Sequence, residues 1–260
     1  MHMIKFSFDG HSSSTAHFLD AHFSQKKNQQ ACGLHKYLQT TPLLEPHFKP
    51  TYSAQTADTV PAIYIENSTQ HLSIKTVERS ATERWALENF IRDKYQKVHQ
   101  ASISSFSDTL FAGYADAEIQ VAIGLQQLKT AHAFLEQYLD APIENILSQL
   151  SAVPVSRTQI VEIGNLAAQD MSKAKLMVAF LVFYLSQNNV QWAVCTGTAA
   201  VRYVLQNMGL HFHVLEKANP EVLGAAQQQW GSYYQQKPYV LAINVAAALA
   251  VTQPQYHFQS

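Results

Sequence analysis

The sequence predicts an α/β fold: a mixed central sheet flanked by helices and preceded by an N-terminal extension. Three observations carry that prediction. Residues 157–215 read as strand, helix, strand, helix, strand, the order that gives parallel strands joined by right-handed crossovers. Residues 109–127 read as an antiparallel hairpin. The 260-residue chain is 47% hydrophobic and 14% charged, which supplies a sizeable core and argues against wholesale disorder. The expected organisation is an extension over 1–70, a principal domain over 71–252 and a tail over 253–260.

Composition also excludes some functions. The formal net charge is −1 and there is no long basic run, so phosphate-driven nucleic-acid binding is not expected. Cys32 and Cys195 are too few for a disulfide scaffold or a zinc quartet, and no metal is expected. Cysteine usage and the absence of a signal-like run in Met1–Asp20 fit a cytoplasmic location. The apolar run Leu176–Leu185 falls short of the roughly 20 residues a spanning helix needs, so no transmembrane segment is expected.

Within the extension, Met3–Phe8 alternates like an edge strand, and His2, His11, His17, His22 and His35 lack the spacing of a helical zinc site, which reads them as solvent-facing. Leu72–Val77 alternates and reads as a strand. Ser80–Glu83 has the pattern of a capping box, and the helix it would start reaches about His99, with Leu87, Phe90, Ile91, Tyr95 and Val98 on one face. Thr109–Tyr114 and Glu118–Gln127 form the hairpin, turning at 115–117; Gly124 marks a bulge or a close backbone approach. Pro142 suits the start of a short helix ending near Leu150. Glu136, Asp140 and Glu144 recur every four residues, as a solvated face or as an acidic rim for an amine.

Gln159–Asn165 reads as a strand with Ile160, Glu162 and Gly164 on one face and Val161, Ile163 and Asn165 on the other. A carboxylate amid apolar strand residues is costly unless it is paired or faces a cleft. Glu162 is therefore either a general base of raised pKa or a buried acid satisfied by arginine or backbone donors. Ser172 or Asp170 can cap the following helix, which runs from about Lys173 to Asn188 and is apolar nearly all round. Lys173 and Lys175 in its first turn suit a bound phosphate or mere surface exposure. Trp192–Cys195 is a second buried strand, with Cys195 read as a small core residue. Ligands of such sheets sit beyond the strand ends, here at Asn165, Leu166, Thr196, Gly197 and Thr198, with Arg202 and Tyr203 one turn away. Gly209 stops the second helix, and the cluster Trp230–Tyr234 is core or pocket wall. Tyr239–Val251, apolar and alanine-rich, would dock on the sheet or against a partner.

The segments Phe134–Glu144, Val161–Ala167 and Trp230–Tyr234 resemble the thermostable hemolysin family over about Ser80 to Ala250. The order of elements is similar to the GNAT N-acetyltransferase fold, especially its acyl-homoserine-lactone synthase branch. That resemblance implies an acyltransferase-like domain whose parallel strands splay around a pantetheine arm. Glu162 falls where the synthase branch keeps a strand carboxylate thought to act as base. The glycine-rich acetyltransferase loop is replaced by Leu166–Met171, which departs from ordinary acetyl-CoA binding and leaves room for a longer acyl-CoA or an acylated carrier protein. The implied reaction moves an acyl group to a small amine-bearing acceptor. Glu162, Tyr203 and Thr198 would do the chemistry. Asn165, Leu166, Ala167, Ser172, Lys173, Lys175, Thr196 and Arg202 would hold the donor, and Phe134, Glu136, Tyr138, Trp230 and Tyr233 the acceptor. The alternatives are a membrane-active cytolysin and a non-catalytic acyl-ligand-binding protein.

Overall fold

A computed structural model describes residues 63–67, 70–129 and 132–259, all within one compact unit. Met3–Phe8, the five N-terminal histidines and Cys32 lie outside the described residues. The elements run β1 (Ile63–Glu66), β2 (His71–Val77), α1 (Arg84–His99), β3 (Thr109–Ala115), β4 (Glu118–Gln127), a 3-10 turn Phe134–Tyr138 and α2 (Ile143–Ser151). Then come β5 (Ile160–Ala168), α3 (Met171–Gln187), β6 (Trp192–Gly197), α4 (Ala199–Asn207) and β7 (His213–Lys217). The chain ends with 3-10 turns over 220–236, β8 (Tyr239–Asn244), α5 (Val245–Thr252) and β9 (His257–Gln259).

The nine strands make one mixed sheet in the order β7-β8-β6-β5-β4-β3-β2-β1-β9. Among the described strands β5 and β6 are the one parallel pair; every other neighbouring pair is antiparallel. The right-handed preference of strand–helix–strand connections puts α3 against the sheet between them. Its apolar circumference fits that burial: Leu176, Met177, Ala179 and Phe180 are all at most 1% exposed. Helices α3, α4 and α5 share one core on that face, centred on Phe111, Phe180 and Leu241. Helix α1 covers part of the opposite face through Leu87, Ile91 and Tyr95. The Phe134–Tyr138 turn and α2 cover the rest, packing on Ile160, Trp192 and Val194.

Local chemistry explains several boundaries. The β3–β4 turn places Asp116 and Ala117 both at positive φ, 52° and 62°, matching the twist of a tight hairpin. The expected capping box at 80–83 does not form: Glu83 is the N-cap without a side-chain capping bond, and the Thr82 hydroxyl donates to the Glu83 carboxylate instead. Buried Arg84 anchors this helix start, donating to Glu88 and to the carbonyls of Val77, Ser107 and Asp108.

Three expectations about the C-terminal half are revised. The strand after Gly209 is an edge strand, β7, separated from β6 by β8. The apolar run Tyr239–Val251, expected to dock on the sheet or against a partner, instead enters the sheet: its first half is β8, antiparallel beside β6, and the remainder is α5. Residues 257–259, assigned to the tail, pair as β9 with β1, whose residues were assigned to the extension.

Candidate active site around Glu162

The site originates in an irregularity of β5. On its β4 side the register passes from Gly124↔Gly164 to Ala122↔Ala167, so Asn165 and Leu166 together face one residue, Ile123. This is a β-bulge, and Asn165 takes the left-handed conformation it requires, φ 51°. The bulge overturns the expected alternation at Asn165. Its side chain turns toward Ser107: Oδ1 accepts from the Ser107 backbone N–H at 3.0 Å and hydroxyl at 3.1 Å, while Nδ2 donates to the Ser105 carbonyl at 3.3 Å. Gly124 permits this approach, since a Cβ there would stand 2.5 Å from Ser107 Oγ.

On the other side, the parallel ladder with β6 runs from Ile160↔Trp192 to Ile163↔Cys195 and stops. Strand β5 continues to Ala168 and β6 to Gly197. The sheet thus opens beyond Cys195: no ladder joins Gly164–Leu166 to Thr196–Gly197, and the Thr196 carbonyl is taken by the Tyr233 hydroxyl.

Glu162 sits one residue before the opening, opposite Gln126 in β4 and Val194 in β6. Its Oε2 accepts from the Phe134 N–H at 2.7 Å and its Oε1 from the Leu135 N–H at 2.9 Å. Burial pushes its pKa up, the two amides pull it down, the Glu136 carboxylate adds to the rise, and the balance stands at about 7. Backbone donors satisfy this carboxylate, the second of the two sequence readings, and its pKa is raised into the range that a general base would need. Behind the opening, burial and then the Glu162 charge push the Cys195 thiol up to about 12, so it remains a protonated thiol at neutral pH.

Aromatic rings form one wall. Phe134, 47% exposed, lies 5.7 Å from Trp230 and 6.1 Å from Tyr138 between ring centroids. Trp230 is 5.1 Å from Tyr233. The Tyr138 and Tyr234 hydroxyls are hydrogen-bonded to each other, and the Tyr233 hydroxyl donates to the Thr196 carbonyl at 2.9 Å. Gly231, at φ 50°, lets this wall fold against the end of α1: a Cβ there would lie 2.0 Å from the His99 carbonyl oxygen.

Glu162, Phe134, Tyr138, Trp230, Tyr233 and Thr196 are brought together. The Thr196 Oγ1 is buried with no hydrogen-bond partner among the described residues. Glu136 lies behind the wall: burial raises its pKa, but Arg157 and the amides of Ile143 and Ala133 outweigh that and hold it at about 2. It anchors the fold where an acceptor rim was expected. Leu166 and Ala167 pack into the core. Arg202 donates to the carbonyls of Gly197 and Lys237 and stacks over Tyr239. Thr198 is fully buried at the start of α4, and Tyr203 is 36% exposed. The start of α3 is not left open: Asp170 Oδ1 accepts from the Lys173 N–H at 2.9 Å and the Ser172 hydroxyl at 2.6 Å. Lys175 is turned to Asn207. The near-buried Lys94 of α1 reaches Gln169 at the same turn, and burial lowers its pKa.

Sequence reasoning missed Arg157, Tyr234 and Asn165's link to Ser107, all long-range partnerships. It also missed a cavity of about 70 Å³ on the α3 face, lined by Ile163, Leu166, Val178, Cys195, Val201 and Ile243 among other apolar side chains. Ile163, Leu166 and Cys195 flank the strand opening, so the cavity lies directly behind it. Among the described residues no helix is long and apolar enough to cross a membrane.

A family model described as thermostable hemolysin matches residues 77–249. No curated protein matches the sequence. Among solved structures, the acyl-homoserine lactone synthase LasI is similar over 71% of this chain and 96% of its own, at 11% identity and a TM-score of 0.50. FeeM, an N-acyl amino acid synthase from uncultured soil microbes, is similar over 68% and 93%, at 12% identity and a TM-score of 0.46. The likeness to LasI is one of fold: a GNAT-like mixed sheet flanked by helices.

Proposed function

The chain belongs to the thermostable hemolysin family, and we propose that it is an acyltransferase that moves an acyl group from a thioester to a small amine. The observation that carries this reading is the parallel ladder ending at Ile163↔Cys195 with Glu162, poised near pH 7, at its last turn. A pantetheine arm is an extended amide chain. It can take the place of a missing strand and pair with the backbone groups that no ladder engages between β5 and β6, apart from the Thr196 carbonyl that Tyr233 already binds. The donor is an acyl-CoA or an acylated carrier protein. Its acyl chain enters the apolar cavity behind Ile163, Leu166 and Cys195, where burial contributes about 0.8 kcal/mol per methylene.

The acceptor approaches along the wall of Phe134, Tyr138, Trp230 and Tyr233. Glu162 removes a proton from the attacking nitrogen, a C–N bond forms, the C–S bond breaks, and the leaving thiolate takes a proton from Thr198 or Tyr203, which solvent replaces as Glu162 releases the one it took. Backbone amides at the strand opening stabilise the oxyanion. The phosphorylated end of the donor reaches toward the β5–α3 turn, where Lys94 and Lys173 supply positive charge and the Asp170 cap limits how closely a phosphate can approach.

The test incubates the purified chain with acyl-CoAs of graded length and a mixture of small amines and amino acids. Free thiol and N-acyl product should appear in equal amounts, and E162Q should slow both by about 10²–10⁴-fold. Thiol release that is absent for every donor, or unchanged in E162Q, removes the reading.

A further inference from the structure

The two amides that hold Glu162 belong to a short turn that a distant side chain braces. Phe134–Tyr138 is a single 3-10 turn, and Ala133 before it has no side chain to cap it. Glu136 reaches back to do so: Oε2 accepts from the Ala133 N–H at 2.8 Å, and Oε1 accepts from the Ile143 N–H at 3.1 Å, stapling the turn to α2. Glu136 is in turn gripped by Arg157 with both prongs of its guanidinium, each at 2.7 Å. A bidentate fork fixes orientation as well as distance, which a lysine does not do. Arg157 also binds Glu144 at 2.6 Å, and it lies five residues before Glu162 on the segment that becomes β5. One side chain therefore ties the donor turn to the strand that carries its acceptor.

We propose that Arg157 is a positioning residue for Glu162, acting through Glu136 and the amides of Phe134 and Leu135. Its value to catalysis rests on Glu162 being the base proposed above; its action on Glu162 does not. The titratable groups facing Glu162 are Glu136 and Tyr138 from the turn and Cys195 from β6. Neither Tyr138 nor Cys195 ionises near pH 7, since burial raises both. Glu136 is the charge that matters. Removing Arg157 leaves beside the Glu136 charge only the exposed His132, whose Nδ1 lies 3.5 Å from Oε2, and loosens the two amide bonds, and both changes disfavour the Glu162 carboxylate.

The experiment follows the Phe134 and Leu135 amide resonances of the full chain against pH, with E162Q as the control in which their titration near 7 vanishes. In R157Q the midpoint should move to higher pH, at least a threefold weaker acid. R157K keeps the charge but loses the fork, so it should show a smaller shift of the same sign; it carries the test if R157Q does not fold. E144Q cuts the other ion pair of Arg157 without touching the turn and should leave the midpoint in place. An unmoved midpoint in folded R157Q or R157K, or an equal shift in E144Q, overturns the proposal. Should the midpoints move as expected while no acyl transfer is found with any donor, Arg157 keeps its role and the acyltransferase reading falls.

Discussion

Replacing Glu162 by glutamine should change how stability depends on pH, by an amount that follows from the site. The carboxyl has an ordinary pKa of 4.5 and stands at about 7 in the fold. Its ionised form is therefore disfavoured by folding. Between pH 4.5 and about 7 the unfolded chain has released this proton while the folded chain retains it, so stability falls as pH rises through that window and is level above it. The full shift corresponds to about 3 kcal/mol, and partial solvent exposure of Glu162 trims it to about 1–2 kcal/mol. Glutamine does not titrate, and Cys195 and Tyr138, whose pKa values the Glu162 charge raises, stay protonated through this window, so the difference between the two proteins' stabilities isolates position 162. Glutamine also sets an N–H₂ against one of two N–H donors, a fixed cost of about 1–3 kcal/mol at all pH. Urea unfolding at pH 5 and pH 8 should therefore show E162Q less stable at pH 5 and recovering about 1–2 kcal/mol relative to the parent at pH 8, or about 2–8 °C in a thermal scan. A difference that stays constant between the two pH values would refute the raised pKa and with it the poised base.

Other outcomes follow from the same geometry. The rate of acyl transfer should rise with pH to a plateau through a midpoint near 7, the free base being the active form, and E162Q should reduce kcat/KM by about 10²–10⁴-fold. Gly231→Ala should cost about 3 kcal/mol or more in denaturant unfolding, because a methyl would collide with the His99 carbonyl in a conformation only glycine adopts readily. Val178→Phe, at a cavity-lining position that is only half-buried, should erase the thermal stabilisation conferred by long-chain acyl-CoA while sparing that from acetyl-CoA; equal loss for both would place the acyl chain elsewhere.

What was legible in the sequence was what local pattern determines. Three- and four-residue spacing found α1, turn chemistry found the β3–β4 hairpin, and an unbroken apolar run found buried α3. Glu162 stood out because a carboxylate inside a β-branched strand needs an explanation. Where the reading failed, a distant segment decided. Tyr239–Val251 is apolar on all sides, and such a run does not distinguish a central strand from a buried helix until its neighbours are known. Asn165 left its expected face because Ser107, far back in the chain, offered two donors to its amide oxygen. Glu136 read as a rim acid because its partner Arg157 lies beyond α2, and a fork of that kind leaves no periodic trace.

The most direct test of a thioester seated in the split sheet is hydrogen exchange at the backbone of Gly164–Leu166 and Thr196–Gly197, with and without a long-chain acyl-CoA. Bound donor should slow exchange at both segments together, as its amides take up the open strand edges. Donor binding that leaves both unchanged, or protects only the outer surface of α4, would contradict the account.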